Sequence, residues 1–444
     1  MGLTGLEIFK LLPKTNCKEC GAATCLAFAM SLATGKTSAD KCPHLSEEAK
    51  EILGAASAPP IALVRIGTGE REIQIGNESV LFRHDKRFEN PCAIAVLLGD
   101  NTAGDDIYDL AKYVGTWCFE RMGSFYGVDL LAVENRTGDA QSFAEAVGIA
   151  ASAAPHSFIL MSDNPKAIER ALPKVADRKP LIGPATAENY EQMAGIAKTF
   201  GLPLAVKAGG LDELAGLSEK IAGLGVKDIV LYPDGGCLAG TLYAQTQIRR
   251  LALKKFRAFG YPTIAVTKNS EPVQAVLEAS VYICKYAGIV VIESTRPEDI
   301  LSLITLRLNI YTDPQKPAAV EPKIYEVLSP GPDSPVYITT NFSLTFYCVA
   351  GDVEASKVPG YILPVDTDGV SVLTGWAAGK FTPEKIAEFL QTSGIGNRVS
   401  HRKVIIPGTV AVLCDKLEEI SGWKVLVGPR ESTGIPAFIK NNWK

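Results

Sequence analysis

Pro203-Leu-Ala-Val-Lys207, then Leu211, Leu214, Leu217, Ile221 and Leu224 at helical spacing, then Asp228-Ile-Val-Leu-Tyr232: this stretch reads strand, helix, strand. The outer runs are short and nearly all apolar, as in strands buried on both faces, and the middle has the period of an amphipathic helix. Comparable runs stand at 92–98 (CAIAVLL), 129–133 (DLLAV), 158–161 (FILM), 180–183 (PLIG), 262–266 (PTIAV) and 289–293 (IVVIE). Helical patterns such as Ile107, Tyr108, Leu110, Ala111 and Val114 lie between them. With the two runs quoted first, these make eight β/α units between about residues 90 and 312. Eight units over that length predict a TIM (β/α)8 barrel, with an open doubly wound sheet as the competing arrangement.

Outward from this core the chain divides at two stretches. Ala55 to Pro60 (AASAPP) is a small-residue, proline-ended linker. Residues 313–335 hold six prolines and read as a second. Beyond it, strand candidates at 336–340 (VYITT), 360–365 (GYILPV), 403–407 (KVIIP) and 424–427 (KVLV) alternate with helices at about 343–350, 371–379, 382–391 and 409–421. That is a small open, Rossmann-like α/β domain, in which ligands sit beyond the carboxyl ends of strands. The expected domains are 1–58, 59–312 and 336–444, with the linker at 313–335.

Composition bounds the function. A chain of 444 residues has room for about three domains. Hydrophobic residues at 47% and charged residues at 21% describe a globular protein and exclude a disordered one. Lys+Arg 45 against Asp+Glu 49 gives a net charge of -4, which excludes binding that lives on nucleic-acid phosphates. The longest apolar runs, such as Gly288–Ile292, are strand-sized, and no membrane span is expected. The first residues lack a basic stretch followed by an apolar one, and Leu6 stands where myristoylation requires Ser or Thr. A soluble, cytoplasmic protein is expected.

Four of the ten cysteines fall in the first 42 residues: Cys17, Cys20, Cys25 and Cys42, spaced C-x2-C-x4-C-x16-C. Four thiolates suit zinc or an iron–sulfur cluster. Structural zinc sites usually show two C-x2-4-C pairs, whereas one pair followed by two single cysteines suits the wider [4Fe–4S] cubane. Gly21 permits a turn, and Ala22–Leu32 reads as an apolar helix with Cys25 near its N-terminus, where the helix dipole favours an anionic cluster. Pro43 after Cys42 echoes the Cys-Pro of bacterial ferredoxins. Zinc and free thiols are the alternatives. The scattered Cys92, Cys118, Cys237, Cys284, Cys348 and Cys414 read mostly as small core hydrophobes. Thr34-Gly-Lys-Thr37 imitates the end of a phosphate-binding loop, but Met30 replaces its first glycine, so Gly35 reads as a helix C-cap.

These features together carry a resemblance. The opening from Leu3 to Met30 (LTGLEIFKLLPKTNCKECGAATCLAFAM), the barrel and the last α/β domain resemble, over the whole chain, the large subunit of the corrinoid iron–sulfur protein of anaerobic acetyl-CoA metabolism. The resemblance implies a corrinoid methyl carrier. In that family Co(I) accepts the methyl group of methyltetrahydrofolate through a separate methyltransferase, and methyl-Co(III) delivers it to acetyl-CoA synthase. A [4Fe–4S] cluster on Cys17, Cys20, Cys25 and Cys42 would return oxidised Co(II) to Co(I), with electrons from a ferredoxin or reductive activator. A separate small corrinoid-protein subunit would complete a heterodimer. The chain would then act as a methyltransferase component, a carrier subunit with no stand-alone activity.

A corrin is an apolar disc fringed with neutral amides, so its site calls for uncharged hydrogen-bonding groups. The resemblance assigns that role to Thr340, Thr345 and Phe346, to Gly369, Val370, Ser371, Val372, Leu373 and Thr374, and to Gly428, Thr433 and Gly434. Without it, these residues read equally as helix caps and turns. The cobalamin fingerprint D-x-H-x-x-G is missing. None of His44, His84, His156 and His401 has its context, and His401 reads as a solvated surface residue. A base-off corrinoid with no protein ligand on the lower face is therefore expected. Glu134, Asp163, Lys207, Asp234 and Glu293, with the loop Pro233–Cys237, stand where barrels normally place catalysis. The resemblance instead makes this barrel a scaffold. Two other readings remain: a cluster-bearing electron-transfer adapter without corrinoid, and a TIM-barrel enzyme acting on a pterin or small acid.

Overall fold

The structure, a computed structural model, describes residues 4–33, 37, 39–46, 49, 53, 59–121, 124–269 and 271–443. The Gly35 cap and the linker at 55–58 lie outside the described residues. Two compact units emerge, Met1–Tyr311 and Thr312–Lys444.

In the first unit, α1 (Gly5–Leu11) opens on a capping box between Thr4 and Glu7, and α2 (Cys25–Ala33) packs against it. Ile8, Leu12, Cys25, Phe28, Ala29, Leu32, Cys42 and Leu45 share one small core. A hairpin, β1 (Leu63–Ile66) and β2 (Ile73–Gly76), comes next.

All eight apolar runs are strands: β3 (Ala93–Gly99), then, after a small hairpin of β4 (Cys118–Arg121) and β5 (Ser124–Gly127), β6 (Leu130–Glu134), β7 (Ser157–Met161), β8 (Leu181–Ala185), β9 (Leu204–Ala208), β10 (Ile229–Pro233), β11 (Thr263–Val266) and β12 (Ala287–Ile292). They pair in parallel and close into a barrel as β12 meets β3. Helices α3 (Gly104–Thr116), α4 (Ala140–Ala153), α5 (Pro165–Ala171), α6 (Tyr190–Phe200), α7 (Leu211–Gly223), α8 (Leu238–Leu253), α9 (Pro272–Cys284) and α10 (Pro297–Ile310) alternate with them. Pro165, Pro272 and Pro297 sit in first turns, where a missing N–H costs nothing.

The continuous apolar runs follow from burial on both faces. Along β3, Ile94, Val96 and Leu98 join the helix-facing core, while Ala93, Ala95 and Leu97 join the interior one. Val64, Ile66 and Ile75 of the first hairpin enter that same interior. Gly67 N–H donates to Lys179 and Ala62 N–H to Gly260, both carbonyls in segments leading into strands, so the hairpin closes the N-terminal end of the barrel. Its alternating residues, LVRI and IQIG, are a half-buried pattern with no place in a β/α count.

The second unit is a five-stranded sheet, β13 (Tyr325–Val327), β15 (Gly360–Val365), β14 (Val336–Thr340), β16 (Lys403–Ile406) and β17 (Lys424–Val427) in spatial order, parallel except for β13. Helices α11 (Ser343–Ala355), α12 (Val372–Ala377), α13 (Pro383–Thr392), α14 (Cys414–Ser421) and α15 (Ile435–Asn442) complete it. Two cores, around Val336 and Ile338 and around Tyr337 and Ile362, mark its two covered faces.

Residues 313–335, expected as a linker, fold onto this sheet. Val320 is buried and donates its N–H to Asn341, and the Ser400 N–H donates to Pro332. Proline does not prevent this, because the edge of β15 offers ladder partners that the apolar Tyr325 and Val327 can reach.

Candidate functional site

Two places bring sequence-selected residues together. At the first, Cys25 and Cys42 are buried in the small N-terminal core, Cys20 packs against it half-buried, and Cys17 is exposed. The Cys17 Sγ, a Glu19 carboxylate oxygen and a His44 ring nitrogen lie within 4.8 Å of one another, and His44 Nε2 sits 3.0 Å from Glu19.

Local chemistry shapes the loop before α2. Lys14, Asn16 and Lys18 adopt left-handed φ of 58°, 50° and 66°, and Gly21 at 80° closes a turn on the Lys18 carbonyl. Alternating handedness of this kind turns successive N–H groups toward one concavity, the arrangement that holds phosphates and iron–sulfur clusters. Asn16 Oδ1 accepts from the Cys25 N–H at 2.8 Å, and the Asn16 N–H donates to Cys25 Sγ at 3.4 Å. Cys20, Cys25 and Cys42 in or against one core, an anion-favouring loop and a helix N-terminus fit an anionic iron–sulfur cluster, while Cys17 stands beside Glu19 and His44.

The second place is a cavity of about 390 Å³ in the C-terminal unit. In chain order the strands run β14 to β15 on one side and β16 to β17 on the other, so their order reverses between β14 and β16. The cavity lies at that switch point, beyond the carboxyl ends of β14, β16 and β17, where open α/β sheets bind ligands.

Thr345, Ser371, Val372, Leu373 and Gly428 line it. The other expected residues do not, and each has a local task. Phe346 is core, its ring 4.5 Å from that of Tyr325. Gly369, at φ 72°, passes so close to Pro317 that a Cβ would come 3.0 Å from its carbonyl oxygen. The Val370 carbonyl accepts from the Thr367 hydroxyl at 2.9 Å, and Thr374 is paired with Ser371 on α12. Thr433 is exposed, and Gly434 lets the chain pass Pro429. Thr340 lies one residue beyond the lining of β14, wholly buried.

Sequence reasoning missed Tyr337, Pro407 and Thr409, which line the cavity beside Thr339 and Ser432. The carboxyl ends of β16 and β17, once paired with β14, were the signal. Tyr337 Oη, Thr339 Oγ1, Thr340 Oγ1 and Ser343 Oγ are buried without a hydrogen-bond partner. Burial pushes the Tyr337 phenol well up. Orphaned neutral hydroxyls beside an apolar cavity fit a large ligand edged with uncharged amides. Asn341 positions the neighbouring loop: its Oδ1 accepts from the Thr367 and Gly369 N–H groups, while its amide donates to Asp366.

Two expectations are corrected. His401 is no solvated surface group. Its Nε2 is 2.9 Å from the Ser334 carbonyl, its Nδ1 accepts from the Lys403 N–H, and its ring meets Trp443 edge-on at 5.0 Å. Of the six scattered cysteines only Cys92 is buried, while Cys118, Cys237 and Cys348 are exposed, and Cys348 lines the cavity.

At the C-terminal mouth of the barrel the expected charges neutralise one another. Arg136 bridges Glu134 at 2.7 Å and Glu293 at 2.9 Å. Lys207 meets Asp234 at 3.2 Å, and Lys268, two residues beyond β11, pairs with it as well. Burial alone would raise the Asp234 carboxyl, but bonds from Lys268, the Gly236 N–H and Lys207 hold it at about 2. The Asp163 carbonyl accepts from Asn189.

A cysteine-rich N-terminal segment, a closed (β/α)8 barrel and a switch-point cavity in an α/β unit define a multidomain cofactor protein. Residues 63–439 match the family model for the CO dehydrogenase/acetyl-CoA synthase delta subunit, and residues 12–44 match one for an Fe-S cluster region. The chain is 48% identical to the corrinoid/iron-sulfur protein large subunit of Moorella thermoacetica, over 100% of this chain and 99% of that one. It is 34% identical to the acetyl-CoA decarbonylase/synthase complex subunit gamma of Methanopyrus kandleri, over 99% and 97%. Among solved structures, 7,8-dihydropteroate synthase from Vibrio fischeri covers 56% of this chain and 99% of its own at 14% identity and a TM-score of 0.40. The chain belongs to the corrinoid/iron-sulfur protein large-subunit family. No described helix is long and apolar enough to cross a membrane.

Proposed function

We propose that this chain is the methyl-carrying subunit of a corrinoid iron–sulfur protein, with a [4Fe–4S] cluster on Cys17, Cys20, Cys25 and Cys42 and a base-off corrinoid in the C-terminal cavity. When bound, the corrinoid supplies a cobalt centre that takes up and releases a methyl group, and the cluster supplies the electron that restores that centre after oxidation. The observation that carries the reading is the switch-point cavity edged by unpartnered neutral hydroxyls.

The chain's own residues bind and orient. Tyr337 and Thr339 offer hydroxyl donors to amide groups on the ligand edge, while Leu344, Val372 and Leu373 cover its apolar face. Thr345, Gly428 and Ser432 give neutral hydrogen-bonding groups for a nucleotide tail, and the charged Arg430 and Glu431 of the same loop also line the cavity. Among the described residues no His lines the cavity, so a corrinoid held there would meet no imidazole of this chain. The mutual pairing of the barrel-mouth charges supports a scaffold role for the barrel.

The donor would be methyltetrahydrofolate through its corrinoid methyltransferase, the acceptor acetyl-CoA synthase, and the electron source a ferredoxin or reductive activator. A small corrinoid-protein subunit would complete a cytoplasmic heterodimer.

Iron, sulfide and cobalt quantification on anaerobically prepared native material tests this. About four iron and four sulfide per chain and one cobalt are expected. The paramagnetic resonance spectrum of Co(II) should lack nitrogen superhyperfine splitting. Three-line splitting would place a nitrogen on cobalt, zinc in place of iron would remove the cluster, and iron without cobalt would leave an electron-transfer adapter.

A further inference from the structure

Asn16 lies between the metal-binding loop and α2 and touches both ends of Cys25. Its Oδ1 accepts from the Cys25 N–H at 2.8 Å, taking up one of the unpaired amides of the helix first turn, while the Thr24 hydroxyl serves Ala27 at 3.1 Å. Its own N–H donates to Cys25 Sγ at 3.4 Å. The second bond requires the first: Asn16 is held at φ 50°, in a region non-glycine residues seldom occupy, and the side-chain clamp sets the direction of the backbone N–H.

We propose that Asn16 is a positioning residue for the cluster: by clamping the Cys17 loop onto α2, it aims a backbone N–H at the Cys25 sulfur and raises the cluster's reduction potential. This rests on the reading of Cys17, Cys20, Cys25 and Cys42 as cluster ligands. A reduced cluster carries one more negative charge than an oxidised one, and that charge is shared with the ligand sulfurs. An N–H donor therefore stabilises the reduced form more, and hydrogen bonds to sulfur are among the factors that set cluster potentials. Placing this donor on Cys25 rather than on exposed Cys17 puts it where water does not compete.

The test compares wild type, Asn16→Gly and Asn16→Asp as full chains in the native complex, prepared anaerobically. Three quantities are read: iron and sulfide content, the cluster midpoint in a dithionite titration followed by paramagnetic resonance, and the rate of iron loss to a chelator. Glycine satisfies the left-handed backbone but removes the clamp. Its reduction equilibrium should become about tenfold less favourable, a fall of about 59 mV for a one-electron couple, and iron should leave severalfold faster. Aspartate can still accept the Cys25 N–H, so it should keep iron at the wild-type rate, while its charge lowers the midpoint. Asn16→Gly with wild-type midpoint and iron retention would show that Asn16 serves its backbone conformation alone. Asn16→Asp losing iron as fast as Asn16→Gly would overturn the clamp. Wild type without iron would overturn the cluster reading and this inference with it, whereas iron-replete wild type with unchanged variants overturns this inference alone.

Discussion

The four clustered cysteines stood out one residue at a time, as candidate ligands marked by residue type and spacing; Cys25 opens α2, three residues after the expected start at Ala22. The lining of the C-terminal cavity was legible only in part. Gly, Ser and Thr serve turns and ligands alike, and nothing in Thr433 or Thr374 separates an exposed turn from a lining residue such as Thr345. Thr339 makes the distinction testable. It is wholly buried, lines the cavity and has an unpartnered hydroxyl. Thr339→Val removes that hydroxyl at nearly the same shape, so the ligand-free chain should gain about 1 kcal/mol, seen as a higher urea midpoint at unchanged slope. Corrinoid affinity should fall roughly fivefold by the same magnitude. A variant less stable without ligand would show that the hydroxyl has a partner inside the protein.

At the scale of elements, the eight barrel strands stood out because burial on both faces leaves unbroken apolar runs. The β1–β2 hairpin and β13 were missed for the opposite reason: short strands with one covered face look like loops. The C-terminal ends of β9, β10 and β11 carry Lys207, Asp234 and Lys268, which tie three neighbouring strand ends through one carboxylate. Asp234 is held at about 2, below the 3.9 or so of an unfolded chain. A depressed carboxyl contributes stability above the unfolded value and loses it as pH falls through the folded one. Asp234→Asn should therefore be less stable than wild type at pH 5, and the difference should shrink as pH is lowered from about 4 to 2. Urea midpoints across that range read it; the contribution is modest because both lysines are partly exposed and solvent screens the cluster. A difference independent of pH would assign the effect to packing.

For the whole molecule, the consequential question is what covers the cavity. It opens beyond the strand ends at the switch point, flanked by exposed Leu344 and Leu373, and a reactive cobalt centre would need shielding there. With 313–335 folded onto its own sheet, carriage of the corrinoid by a swinging Pro-rich tether has less free chain to use than composition suggests. We expect the isolated chain to bind corrinoid weakly and to transfer methyl groups poorly until a small-subunit partner is added. Size-exclusion chromatography with light scattering, alongside cobalt content, reads this. A monomer with full cobalt and unaided methyl transfer would show that the chain covers the site itself.

By itself the sequence determined the eight-unit barrel, the four parallel strands of the last domain and the four candidate metal ligands. Each is encoded locally, in a hydrophobic period or a cysteine spacing. Only the tertiary structure decided which loop residues face the cavity, that Phe346 is core, that His401 is held against Trp443 and that Asn16 grips Cys25. Those outcomes depend on which segments distant in sequence meet. The reversal of strand order between β14 and β16 brings Thr339, Pro407 and Gly428 to one crevice, and no local pattern records that meeting.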